Sequence, residues 1–399
     1  MPRADCAVAV SLFANDRGNS GIGRYLKSVV PRLVDAMPEA TFHLFAARAD
    51  QSVFAGCFER FDARVRWHLT SDFWNRPPPS LVWHAAWWDH AARRAGADAL
   101  YLPAGNRRLA PFARLPSVAV VHDLSWLHMK GKYDPLRELY LRRLLPWMIR
   151  RSTRIIAISR STESDLVQLA GCPPGRITRI ANGFDATQFH PRDAAASRAQ
   201  LQQAGVELPE RFLLYVSRLE HPGKNHVTLL AAYRRLLDQR PDLAERLVFA
   251  GGRWNGAEAV DAAIADLGLE DRVRRLGFVA DAHLPLLYAT ATALVFPSLF
   301  EGFGLPVIEA QACGLPVAGA DASSIPEVMG GAGLLFDPLD PQAIATAITT
   351  LIDQPALRAE LARRGLENAR SYTWEATATA TARLLRQVID ERRAESHRA

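Results

Sequence analysis

The stretch PSLFEGFGLPVIEAQACGLPVAG, Pro297 to Gly319, is the most informative part of the chain. A short apolar run, 293–297, leads into it and reads as a strand. Pro306 suits a first helical position and opens a helix over 306–312, and 317–319 reads as the next strand. Strand, helix and strand at this spacing require a right-handed crossover onto a parallel sheet. The same alternation extends outward in both directions. Strands are expected at 212–216, 246–250, 273–276 and 332–336, with helices at 226–239, 257–267, 283–289, 324–328 and 341–352. In the first half, strands at 7–12, 41–45, 99–102, 118–121 and 154–157 alternate with helices at 23–35, 135–150 and 161–169. The class is α/β, built as two doubly wound domains. The polar, Ala/Gln-rich segment 189–210 reads as the linker, giving domains at 1–190 and 205–372. A final helix, 375–393, follows no strand, so it could close the second domain or cross back to the first.

Composition agrees with two cores and narrows the setting. The 399 residues are 49% hydrophobic and 23% charged, which excludes disorder as a description of the whole chain. The longest nearly uncharged run, 276–300, is interrupted by Asp281, His283, Pro285 and Pro297, so no membrane-spanning helix is expected. Asp5 stands inside the first apolar run, which therefore reads as a strand and not as a signal peptide. Four scattered cysteines without a C-x-x-C point to a reducing cytosol. Charge is uneven: residues 1–200 carry 28 Lys and Arg against 17 Asp and Glu, and residues 201–399 carry 20 against 25. A basic first half suits an anionic partner, although Arg-rich solubility would look the same.

The loop Glu301-Gly302-Phe303-Gly304-Leu305 sets small residues at the start of a helix, where backbone N–H groups and the helix dipole favour phosphate. Carboxylates bind phosphate poorly, so Glu301 and Glu309, the latter placed in the first turn, are expected to address sugar and ribose hydroxyls. In YVSRLEHPGKNHVTLL, 215–230, Arg218 and Lys224 lie between a strand and a helix, at the edge where open α/β sheets bind ligands. Only four lysines occur against 44 arginines, which makes Lys224 the more telling of the two. Together they could hold a diphosphate and stabilise it as a leaving group.

Three features of the first half are weaker. Asp16 to Arg24 (DRGNSGIGR) has a G-x-x-G-x-G order, not G-x-G-x-x-G, and reads as a loop whose backbone approaches phosphate or acceptor. Asn19, Ser20, Gly21 and Gly23 are its candidates. His122 and Asp123 end the apolar strand VAVV and are candidate site residues. The segment 133–154 reads as an Arg-rich amphipathic helix, facing either a core or a membrane surface. No D-x-D, no P-loop and no Cys/His cluster of metal-ligand spacing occurs.

GNSGIGRY, VVHDL, ISRSTESDL, NGFD, SRLEHPGKNH and EGFGLPVIEA occur in the order found in bacterial family-4 retaining glycosyltransferases of the GT-B fold, and the chain resembles that family from about Ser20 to the final helix. It looks most like transferases of surface-polysaccharide assembly that use GDP-mannose or related donors. The resemblance implies two Rossmann-like domains facing a central cleft, with the C-terminal helix, 375–395, returned to the first. It implies that Glu309 binds the donor ribose and Glu301 the sugar. Arg218 and Lys224 would hold the diphosphate with the amides of Gly302, Phe303, Gly304 and Leu305. The turn Gly277-Phe278-Val279 would hold the base, and His122 would lie against the transferred sugar. The loop at Gly21 and Gly23 would border diphosphate and acceptor, with Asn19, Ser20 and Asp123 on the acceptor side. Ser217 departs from the glycine common before the arginine. The segment VWHAAWWDH, 82–90, matches nothing in the pattern.

The expectation is a metal-independent retaining hexosyltransferase that needs no cofactor. Its partners would be a nucleotide-diphosphate sugar and a glycan or polyprenyl-diphosphate-linked acceptor, with peripheral contact at the inner membrane face and no nucleic acid. The rivals are a nucleotide-sugar epimerase of the same fold and a non-catalytic nucleotide-sugar-binding subunit.

Overall fold

A computed structural model of the chain describes residues 6–18, 20–61, 63–128 and 138–398. The chain forms two compact units, Met1–Gly183 with Trp374–Ala399, and Phe184–Thr373.

The sheet of the first unit is parallel. Among the described residues it contains β1 (Cys6–Ser11), β2 (Ala40–Ala47), β3 (Val65–Thr70), β4 (Ala99–Leu102), β5 (Ser117–Val121), β6 (Arg154–Ala157) and β7 (Ile177–Arg179). Their order is β3-β2-β1-β4-β5-β6-β7. Every residue of β4 and β5 is buried, as expected of central strands covered on both faces. Val8 sets the central register, opposite Phe42 on one side and Ala99 on the other. The sequence reading did not anticipate β3 and β7. Both are edge strands, and β3 (VRWHLT) is so diluted by exposed Arg66 and Leu69 that no apolar run remains.

The helix Gly21–Ala36 starts at Ser20, whose hydroxyl accepts from the Gly23 N–H at 3.2 Å. Such a cap is worth about 1 kcal/mol. It buries Tyr25, Leu26, Val29, Val30 and Leu33. The last helix, Trp374–Ser396, packs along it, so the chain's end belongs to the first unit. Trp374 meets Tyr25 edge-on at 5.9 Å, and Arg386 donates to Glu39 at 2.7 Å. The Trp-rich segment forms two helices, Pro77–Ala86 and Trp88–Arg94. Trp83 and Trp88 join Phe13 and Phe45 in the core, whereas Trp87 is exposed.

The expected helix over 135–150 is described only from Glu138, because residues 129–137 lie outside the described set. Tyr140–Leu144 forms a wide π-turn, and an α-helix follows over Leu145–Arg150. The Leu145 N–H reaches back five residues to the Tyr140 carbonyl. Pro146 comes next and has no N–H to keep a tighter ladder going.

The second unit has its own parallel sheet, ordered β10-β9-β8-β11-β12-β13. Its strands are β8 (Phe212–Val216), β9 (Arg246–Ala250), β10 (Val273–Gly277), β11 (Ala293–Phe296), β12 (Val317–Ala320) and β13 (Leu334–Phe336). Strand order reverses between β8 and β11, and the turns after these strands share one edge.

The expected linker over 189–210 is corrected. Residues Ala194–Gln203 form a helix capped by Asp193, which accepts from the Ala196 N–H at 2.7 Å. Ser197 and Leu201, one turn apart, bury its inner stripe against the helix Leu284–Thr290. Ala and Gln favour helix, and two buried positions suffice for so short an element. The division therefore falls at Gly183 and Phe184, and residues 184–190 belong to the second unit. A helix over Pro355–Ala369, also unforeseen, completes that unit.

Candidate active site

In the second unit the turns after β8 and β11 are pinned side by side. Tyr215, 1% exposed, donates its hydroxyl to the Lys224 carbonyl at 2.7 Å. Asn225 takes a left-handed backbone at φ 57° and donates its amide to the carbonyls of Pro297 (3.1 Å) and Pro338 (2.7 Å). The Leu299 N–H donates to the Gly223 carbonyl at 2.9 Å. The result is that Lys224 and Glu301, 77 residues apart, meet: Nζ donates to Oε1 at 2.7 Å. Their side chains are 18% and 14% exposed, enough to be reached and too little to be freely solvated.

Glu301 heads the glycine loop, which is strapped from behind. Ser323 Oγ donates to the Glu301 carbonyl at 2.7 Å, and Ser324 Oγ lies 2.9 Å from the carbonyls of both Glu301 and Phe303. Gly304, at φ +95°, makes the left-handed turn into the helix Leu305–Ala312, a conformation that glycine adopts without strain. Phe303 is buried and packs edge-on to Tyr372 at 5.6 Å. Glu309 is the fifth residue of that helix, beyond the first turn where it was expected. It is 2% exposed and accepts from the Tyr288 hydroxyl at 3.2 Å.

Arg218 has different company. Its guanidinium lies 4.7 Å from the Trp254 ring centroid and donates to Glu220 Oε2 at 3.0 Å. At the end of β10, Gly277 turns the chain at φ +72° and leaves Phe278 74% exposed beside half-buried Val279.

In the first unit, strand order reverses between β1 and β4. The turn after β1 carries the G-x-x-G-x-G loop. Gly18 turns at φ +78°, and a Cβ on Gly23 would come within 2.5 Å of the Gly18 Cα, so close backbone approach fixes both glycines. Gly21 is exposed with no such constraint, and Asn19 lies outside the described residues. Ser20 is occupied in capping its helix.

His122 directly follows β5 and is 8% exposed. Its Nε2 lies 2.6 Å from the Pro103 carbonyl, which can only accept, so Nε2 carries the proton. Burial pushes its pKa down to about 4, and the ring is neutral at physiological pH. Asp123 Oδ1 accepts from the N–H (3.1 Å) and hydroxyl (2.9 Å) of Ser125, which makes it a turn-forming residue here.

Five side chains around these turns were absent from the sequence reading: Glu220, Trp254, Tyr288, Ser323 and Ser324. Glu220 had a signal, an acid two residues after Arg218. The others sit on separate elements, Tyr288 on the helix Leu284–Thr290, with no local pattern to mark them.

Residues 19–188 match the family described as Glycosyltransferase Family 4, and residues 197–370 match Glycosyl transferases group 1. O-antigen chain mannosyltransferase B of Escherichia coli is 30% identical over 369 residues, spanning 91% of this chain and 94% of the relative. D-inositol 3-phosphate glycosyltransferase of Frankia alni is 36% identical over 250 residues, 61% of this chain and 60% of its own. Among solved structures, HepE of Anabaena with UDP and glucose superposes with a TM-score of 0.73 at 24% identity, covering 96% of this chain and all of that one. The two parallel sheets, with helices around them, match the GT-B architecture. With matched domains on both units and a relative aligned over nearly the whole chain, the protein belongs to the family-4, group-1 glycosyltransferases and is a hexosyltransferase.

Proposed function

We propose that the chain is a retaining transferase that takes a sugar from a nucleoside-diphosphate donor, GDP-mannose foremost. The acceptor is a glycan or polyprenyl-diphosphate-linked chain in surface-polysaccharide synthesis. The carrying observation is the Lys224–Glu301 pair, 2.7 Å long, beside the glycine turn at the switch point of the second sheet. A diphosphate offers Lys224 a stronger anionic partner and frees Glu301 to accept from sugar hydroxyls. Arg218 supplies further positive charge as the diphosphate leaves. The acceptor attacks on the face the diphosphate vacates, and the leaving phosphate takes its proton; trapping of a covalent glycosyl-enzyme would overturn this route. The mannosyl preference rests on the mannosyltransferase relative from Escherichia coli.

A panel of nucleotide sugars read by thermal shift tests the donor. A ligand at about 100 times its Kd stabilises by about 2.7 kcal/mol, so the true donor should stand out clearly. If GDP-mannose shifts the melting no more than UDP-glucose, the mannosyl assignment fails. Because arginine, lysine and a helix end already supply positive charge, activity should survive EDTA. Loss in EDTA restored by magnesium or manganese would overturn the metal-independent reading.

The proposal includes peripheral contact with the inner face of the membrane. In support, Leu139 and Leu144, which flank exposed Arg143 in the sequence, are 61% and 47% exposed, and Phe112, packed on Trp147 at 5.7 Å, is 63% exposed. No helix among the described residues is long and apolar enough to cross a membrane.

A further inference from the structure

The turn after β8 and the turn after β9 are zipped together by their backbones. The Leu219 N–H donates to the Gly252 carbonyl at 2.9 Å, the Trp254 N–H to Leu219 at 3.0 Å, and the His221 N–H to Asn255 at 3.1 Å. Glycine allows this approach: a Cβ on Gly256 would lie 2.8 Å from the His221 carbonyl, and one on Gly251 would overlap the Ser217 carbonyl. The zipper carries Trp254 from one turn to the arginine on the other.

At that crossing the Arg218 guanidinium carbon sits over the Trp254 indole, 4.7 Å from the ring centroid, and Glu220 accepts from one terminal nitrogen at 3.0 Å. Glu220 is 4% exposed, so the acid is a fixed anchor. Arg218 itself stays 52% exposed, and the rest of its donor fork is open to a ligand. A guanidinium presents five N–H donors in a rigid plane, so seating its carbon on a ring and holding one terminal N–H restricts the directions of the others. An arginine already held in place loses less side-chain freedom when it grips an anion.

We propose that Trp254 and Glu220 are positioning residues that aim Arg218 at the diphosphate, so that Trp254 tunes the preference of the site for diphosphates over monophosphates. This rests on the assignment of Arg218 to the diphosphate. The indole acts through its face, and any aromatic ring of similar reach can replace it. Glu220 acts through its carboxylate edge.

The test uses the full chain and calorimetric titration with GDP and UDP, with GMP and UMP as monophosphate controls. Trp254→Leu should raise the Kd of the better-bound diphosphate about 2- to 5-fold and leave that of its monophosphate unchanged. Trp254→Phe should restore most of the affinity. In an Arg218→Ala background, Trp254→Leu should cost nothing further, because its effect passes through the missing guanidinium. Glu220→Gln should behave in the same way, and melting temperatures within a few degrees of the parent establish that the variants fold. An undiminished Trp254→Leu loss in the Arg218→Ala background, or an equal loss with the monophosphate, overturns the positioning role. An Arg218→Ala variant that binds diphosphate as tightly as the parent overturns instead the diphosphate assignment beneath it.

Discussion

Lys224 and Glu301 are each other's counter-ion, and Glu309 is closed in by Tyr288, so the two carboxylates of the glycine motif hold unequal positions. On the proposed assignment they fail differently when altered. Glu309→Gln keeps the volume of a buried side chain and should weaken nucleoside-diphosphate binding about 10-fold, the scale of one lost hydrogen bond to a charged acceptor. Glu301→Ala should mainly reduce turnover, by about 100-fold, as expected when a contact made in the transition state is removed. Steady-state and binding measurements on both variants separate the two roles. Equal losses of affinity with unchanged turnover would sink the assignment.

Histidine gives a second test at this scale. Burial pushes the pKa values of His43 and His122 down to about 4, and those of His84 and His226 to about 3. The unfolded chain binds protons at these rings near pH 6.5 and the folded chain does not. Stability is therefore full above pH 6.5 and is lost as pH falls toward 4. Urea midpoints should be flat from pH 8 to 7 and fall steadily from 6.5 to 4.5; a flat midpoint down to 4.5 would contradict the burial argument. Arg218, Lys224 and Glu301 stand out in the sequence as candidates because they are charged types between a strand and a helix, and Glu309 stands out by its spacing from Glu301. Trp254 and Tyr288 do not, since each meets its partner only when another element is folded against it.

The turn after β12 serves the turn after β11, and that dependence can be tested on one hydroxyl. Ser324 is fully buried and lies 2.9 Å from the carbonyls of Glu301 and Phe303. Ser324→Ala leaves the buried Phe303 carbonyl short of a donor, while the Glu301 carbonyl keeps Ser323, a loss of about 1–3 kcal/mol in stability. The released glycine loop should also lower kcat/KM, because small displacements of positioned groups cost rate. Glycine in its place should do no better, whereas Ser324→Thr can retain the hydroxyl. Urea unfolding together with initial rates checks this, and unchanged values for both in Ser324→Ala would show that the strap is idle. At the element scale, the central strands and the helices between them were readable, because continuous apolar runs mark strands covered on both faces. Edge strand β3 and the helix Ala194–Gln203 were missed for one shared physical reason. Each buries only one narrow side, so its apolar signal is sparse, and polar composition alone does not distinguish such an element from a linker.

Across the whole molecule, positive charge is concentrated in the chain's first half, and it is densest over residues 101–160, with 12 Lys and Arg against 3 Asp and Glu. The structure changes which of these charges can meet a membrane. Arg142 pairs with Glu138 at 2.9 Å and Arg154 with Glu391 at 2.8 Å, and both bonds stay within the first unit. Arg143 is exposed next to Leu144 and follows the exposed Leu139, which gives basic and apolar groups together on a short stretch. Each basic residue near an anionic surface contributes about 1 kcal/mol, and each exposed leucine adds apolar area to bury. The proposed membrane contact therefore predicts binding to anionic vesicles and little to neutral ones, weakened by salt because screening acts over about 8 Å at physiological ionic strength. Arg143→Glu with Leu144→Ser should reduce co-sedimentation severalfold without lowering the melting temperature, since neither side chain is buried. Arg142→Glu would be a poorer probe, because it also sets a new acid beside Glu138. Equal partitioning onto anionic and neutral vesicles, or none onto either, would direct the search to a soluble glycan acceptor.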